Sequence, residues 1–215
     1  MSCSCCAELV AELGREELFD EGVEAARNAC VAGAPLASAA ITASAWYDNP
    51  LTGARAVLDC MAKLSALGDS VDDWLAAFAP APHPETCDEW SPGFGFVSPC
   101  ASELLSALAC RLAACAHGNK LRSFQQYREA LGRVCGPLNA AGLAALVFAD
   151  HGASPDDAER RFLLARIDVA MREAARARKL GVGRFPFFSE SYVYEGATPP
   201  TRRLDLSALM QRVGL

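Results

Sequence analysis

Clustered positive charge is missing from this chain. Its 215 residues carry 20 lysines and arginines against 26 aspartates and glutamates, a formal charge of −6. Nucleic-acid affinity comes chiefly from dense Lys and Arg, so a nucleic-acid partner is excluded. Arg160, Arg161, Arg166, Arg172, Arg176 and Arg178 are the local exception. Asp156, Asp157, Glu159, Asp168 and Glu173 are interleaved with them, the pattern of a solvated helix face. A membrane-length run of strongly apolar residues is also missing. The uncharged stretch Ala29–Tyr47 is built of Ala, Ser and Thr and contains Gly33 and Pro35. Its transfer energy is poor, which makes it a buried helix and excludes a membrane partner. The opening Met1-Ser2-Cys3-Ser4-Cys5-Cys6 has neither the basic start nor the apolar centre of a signal peptide. A cytoplasmic protein is expected.

Two further absences constrain chemistry. Cys3, Cys5 and Cys6 have no second CxxC and no paired histidines at zinc-site spacing, so no metal is expected. Of the ten cysteines, Cys30, Cys60, Cys110, Cys115 and Cys135 lie among alanines and leucines, where Cys acts as a small apolar residue. In a reducing compartment they stay thiols. Only three histidines are present. His117 and His151 each precede a glycine at a helix end, the usual place for a capping histidine.

No alternation of apolar and polar residues is long enough for a core strand, and no fixed-period repeat appears. The class is all-α. Helical periodicity predicts helices over Cys5–Leu13, Glu16–Val31, Leu36–Trp46, Gly53–Leu67, Val71–Phe78, Pro99–Ala116, Leu121–Val134, Leu138–His151 and Pro155–Lys179. Ser70 with Asp73 makes a capping box, and Ser98-Pro99 and Ser154-Pro155 set an N-cap before proline at the first helical position. The length suits one domain spanning 1–215. Two segments break the pattern: Ala79–Ser98, rich in proline, glycine and aromatics, and the aromatic C-terminal segment 181–215 with Phe185-Pro186-Phe187-Phe188 and Tyr192-Val193-Tyr194. Ordered loops of this kind often carry function.

Three motifs occur in order: Asn49-Pro50-Leu51-Thr52-Gly53-Ala54 before a helix, Ser91-Pro92-Gly93-Phe94-Gly95-Phe96 in the loop, and Leu138-Asn139-Ala140-Ala141-Gly142 opening a later helix. The set resembles the citrate synthase family, and within it the compact citryl-CoA lyase-like members. That family shows G-P-L-H-G-G, P-G-F-G-H-P and P-N-V-D at comparable separations. Arg166 is similar to a family arginine, and Tyr192-Val193-Tyr194-Glu195-Gly196 follows where the family has R-P-R and then Tyr-x-Gly. The resemblance implies a shortened, multi-helical citrate synthase-like fold. It implies a dimer, or a heteromer with a citrate synthase-like relative. It also implies a pocket formed by Thr52, Gly53, Phe94, Phe96, Asn139, Ala141, Arg166 and Phe187.

The departures alter the chemistry. The family's two histidines help enolise an acyl thioester and polarise the partner carbonyl, and its aspartate takes the α-proton; here Thr52, Phe96 and Ala141 stand in those places. None exchanges protons at neutral pH, and losing one such group typically costs on the order of a hundred-fold in rate. Phe187 replaces an arginine that in the family holds a substrate carboxylate. Two functions follow. One is a pseudoenzyme, a binding or regulatory subunit without citrate synthase activity. The other is a repurposed enzyme acting on an acyl-CoA thioester or other apolar carbonyl compound, as a carbon–carbon lyase or acyltransferase, with His83, Thr52 or Glu190 as catalytic candidates. At the residue level, Phe94 and Phe96 either line an apolar pocket or fill it, and Thr52 and Asn139 either meet a ligand or cap helices. No cofactor is required by either reading, and a CoA thioester suits the second.

Overall fold

The computed structural model describes residues 4–14, 21–82, 89–95, 99–115 and 118–181. Among these the elements are α1 (Ser4–Leu13), α2 (Glu21–Val31), α3 (Leu36–Tyr47), α4 (Ala54–Ser65), α5 (Val71–Phe78), β1 (Ala81–Pro82), β2 (Glu89–Trp90), α6 (Pro99–Cys115), α7 (Lys120–Cys135), α8 (Ala140–Asp150) and α9 (Pro155–Leu180). The helices lie where periodicity sets them, with ends shifted by up to two residues where the described residues allow comparison. The one strand pairing is a two-residue antiparallel ladder, Ala81 with Trp90 and Pro82 with Glu89. It closes the proline-rich loop without altering the all-α class.

Local chemistry accounts for the ends. The Asp73 amide donates to Ser70 Oγ at 3.1 Å and the Ser70 amide to Asp73 Oδ2 at 3.4 Å, the reciprocal pair of a capping box. The Asp157 amide donates to Ser154 Oγ at 3.2 Å ahead of Pro155. His151 is the C-cap of α8, its amide donating to the Val147 and Phe148 carbonyls, and Gly152 follows at φ +65°. Ser98 and His117 lie outside the described residues.

The uncharged run 29–47 is not one buried helix. Gly33, at φ +98°, and Pro35 break it into the end of α2 and the whole of α3. α3 buries only the Ala39, Ala43 and Tyr47 face, leaving Ile41 71 % exposed. No described helix is long and apolar enough to cross a membrane.

α8 (AAGLAALVFAD) is apolar all round, and Ala141 through Phe148 are buried without interruption. It is the centre of the main core, packed by α1, α4, α6, α7 and α9. α9, about 39 Å long from its 26 residues, also contacts α2 and α3. A second cluster forms there from Val23, Ala26, Cys30, Ala39, Ala43, Tyr47, Val169, Ala170 and Ala174. Small side chains let these three helices approach closely; a Cβ on Gly22 would sit 2.7 Å from the Tyr47 ring. The arginines of α9 pair with its own carboxylates: Arg160 and Arg161 with Asp157, each at 2.7 Å, and Arg172 with Asp168 at 3.0 Å. Arg166 departs from that face. It is buried, donates to the Leu13 carbonyl at 2.7 Å, and lies 5.9 Å from the Tyr47 ring centroid.

Candidate functional site

The three motif segments, up to 93 positions apart in sequence, meet at one residue. Asn139, 2 % exposed, is the N-cap of α8. Its Oδ1 accepts from the Gly142 amide at 3.0 Å, the expected capping bond. Its Nδ2 donates to the Leu51 carbonyl at 3.1 Å, and its backbone amide donates to the Gly93 carbonyl at 2.9 Å. The Gly95 amide completes an antiparallel bridge by donating to the Pro137 carbonyl at 2.7 Å. Asn139 thus caps a helix and ties both other motifs to it.

The glycines make this approach sterically possible. Gly93 has φ +79°, and a Cβ there would lie 2.6 Å from Cys60 Sγ and 2.8 Å from Gly142 Cα. A Cβ on Gly142 would collide with the Gly93 carbonyl, which is backbone and has no rotamer to yield.

Where the loop meets α8 the site is apolar and full. Phe94 is buried and packs edge-on to Phe78 with centroids 5.3 Å apart, and Phe78 continues to Trp74 at 6.0 Å. Cys60, Leu138 and Gly142 close the remaining sides of a cavity of about 10 Å³, room for one water at most. Among the described residues Phe94 is packed into this apolar cluster, with only that small void beside it. Ala141, in the first turn of α8, is fully buried. Cys60 offers no nucleophile, because burial, reinforced by the Asp59 carboxylate, pushes its thiol far above the ordinary range. Burial also pushes the Cys135 thiol up, against the lowering contributions of Ser91 and Lys63. The Phe78 carbonyl accepts from both Ser91 Oγ, at 2.6 Å, and Cys135 Sγ, at 3.1 Å.

Thr52 occupies a different setting. It does not cap α4, whose N-cap is Gly53 with no side-chain hydrogen bond. Asn49 serves the turn instead: its Oδ1 accepts from the Leu51 amide at 2.9 Å, the Thr52 amide at 2.8 Å and Thr52 Oγ1 at 3.4 Å. Gly53 is required because a Cβ would strike the Tyr47 carbonyl. Thr52 opens onto a surface pocket of about 250 Å³ with Glu21, Ala45, Trp46, Asn49 and Leu51. Glu21 and Trp46 carried no sequence signal, since neither belongs to a motif. A larger groove of about 820 Å³ runs between α1 and α9, with Cys6, Val10, Leu164 and Ala165 as apolar lining and Arg160, Arg161, Asp168 and Arg172 as polar lining.

Of the residues expected at the site, Thr52, Gly53, Phe94, Asn139 and Ala141 belong to the converging segments. Arg166 directs its guanidinium to the end of α1. His83, Phe96, Phe187 and Glu190 lie outside the described residues, as does most of the aromatic C-terminal segment. Among the described residues no group of three or more His, Cys, Asp or Glu side chains is placed to hold a metal ion.

Neither the family models nor the curated proteins compared with the chain match it. Among solved structures it is similar to the citryl-CoA lyase from Hydrogenobacter thermophilus, with a TM-score of 0.57 and 17 % sequence identity over 97 % of this chain and 83 % of that one. At that identity the likeness establishes the fold: an all-α, citrate synthase-like arrangement of helices.

Proposed function

We propose that this chain is a single citrate synthase-like domain without the family's acid–base residues, acting as a cytoplasmic binding or partner subunit and not as a citrate synthase. The observation that carries the reading is the replacement of chemistry by packing where the motifs converge. On this reading Ala141 is the counterpart of the family's aspartate; in support of it, Ala141 is buried and Phe94 packs with Phe78 and Trp74 beside it. Thr52, in the place of a histidine, brings a hydroxyl that does not titrate near neutral pH. The groove between α1 and α9, largely apolar in its lining and bordered by arginines paired with Asp157 and Asp168, suits contact with a second copy or with a relative of the same fold.

The reading is tested by native mass spectrometry and thermal shift against CoA thioesters and small di- and tricarboxylic acids, with co-purification of any relative from the source cell. A ligand that binds the native state raises the melting temperature. The expected outcome is no stabilisation by citrate-like acids and recovery of the chain in a dimer or heteromer. Turnover of a CoA thioester would contradict it and favour the repurposed enzyme. That second reading has support from Thr52, whose hydroxyl opens on a pocket of about 250 Å³.

A further inference from the structure

The pocket at Thr52 has the wrong electrostatics for a carboxylate and suitable electrostatics for a cation. Among the described residues Glu21 is the only charged one lining it, and none of them is Lys, Arg or His. The Glu21 carboxylate is exposed and has no hydrogen-bond or ion-pair partner among the described residues. It sits in the first turn of α2, whose N-terminus contributes roughly half a positive charge, so a net negative charge remains. The opposite wall is the last turn of α3, through Ala45 and Trp46, and that turn carries no basic residue. A helix C-terminus adds roughly half a negative charge. The neighbouring Asp48 and Arg55 pair with each other at 3.2 Å and together add no net charge beside the pocket.

Trp46 supplies the third feature. Its indole is 45 % exposed on the pocket wall, and tryptophan is the best aromatic face for a cation. Thr52 Oγ1, half-buried at the pocket edge, adds a hydroxyl that can accept from an N–H donor. A carboxylate, a helix C-terminus, an indole face and a hydroxyl around about 250 Å³ match a small positive head on a short apolar stem. From this we infer that the pocket binds an organic cation, an ammonium or guanidinium group. It rests on the reading of the chain as a binding protein and names the ligand class of that protein.

The test is an NMR titration of ¹⁵N-labelled full-length chain. The Trp46 indole resonance is assigned with Trp46→Phe, and the Ala45 and Leu51 amides serve as second reporters. Tetramethylammonium and butylammonium chloride are the probes, with sodium chloride at matched ionic strength and sodium citrate as controls. Both cations shift these resonances saturably and citrate does not. Glu21→Gln weakens binding about ten-fold, and Trp46→Leu weakens it comparably as read from the amides, with the ¹⁵N spectra of both variants otherwise those of the folded chain. A Gly-Lys-Gly peptide that binds more tightly than butylammonium assigns the ligand to a protein side chain; weaker binding assigns it to a free amine. Loss of saturation, an equal response to citrate, or undiminished binding by Glu21→Gln overturns the inference. Thioester turnover would defeat the binding-protein reading and leave the titration intact, so the two failures are distinguishable.

Discussion

Asn139 ties three segments together, one through its backbone amide and two through its side chain, and substitution of that side chain separates capping from bridging. Alanine removes the bond from the Gly142 amide and leaves the Leu51 carbonyl without its donor. The expected loss is about 2–3 kcal/mol, from a cap of about 1 and an unsatisfied carbonyl of about 1–2. Serine keeps the cap but cannot reach Leu51, so Asn139→Ser costs about half as much. Urea denaturation midpoints at constant slope measure both. Cys60 gives a second residue-scale outcome. Its thiol is held neutral in the fold, with its pKa raised above the unfolded value of about 8.5. The unfolded chain ionises first, so stability is complete below that pH and falls as pH rises through and above it. The slope approaches about 1.4 kcal/mol per pH unit for this one thiol. Chemical denaturation between pH 7.5 and 10 measures it, and Cys60→Ala flattens the decline even as it lowers stability at neutral pH.

Among the helices, α7 has an N-terminus capped from outside. Its own N-cap, Asn119, makes no side-chain capping bond. Asp150, at the end of α8, accepts from the Lys120 amide at 2.7 Å through Oδ1 and from the Leu121 amide at 2.9 Å through Oδ2. The carboxylate thus satisfies two free amides and meets the positive end of the α7 dipole. Asp150→Ala is expected to cost about 1–2 kcal/mol, with Asp150→Asn losing less because one amide acceptor remains; thermal denaturation at neutral pH checks the order. A cap from 30 positions away leaves no local signature, whereas Ser70–Asp73 and Ser154–Pro155 were legible because their partners lie three residues away or closer. For the same reason periodicity located the helices but not the β1–β2 ladder or the bridge from Phe94 to Leu138, which join distant segments. At Thr52 the local rule misled: a hydroxyl residue ahead of a helix reads as its cap, but Asn49 and the close passage of the Tyr47 carbonyl govern that turn.

Among the described residues, α8 and α9 between them pack α1, α2, α3, α4, α6 and α7, and both were readable: one as an apolar helical segment, the other as a long helix with interleaved charges. That the three motifs would be neighbours in space came from their order, through resemblance to the citrate synthase family, and the fold carries that arrangement. Glu21 and Trp46 were not readable as a pocket, because they come from separate helices and depend on how α2 and α3 cross. Arg166 looked like a ligand-binding arginine by its place in the family pattern. Its guanidinium instead meets the Leu13 carbonyl, 153 positions away, and joins α1 to α9. The function proposed for this fold is a binding or partner role without acid–base catalysis. The most direct measurement is deuterium incorporation at the α-carbon of acetyl-CoA, followed by proton NMR in D₂O with and without the protein, because enolisation is the step the family's acid–base groups perform. The account predicts exchange no faster than in buffer alone. Protein-dependent exchange that is lost in Thr52→Ala would contradict it.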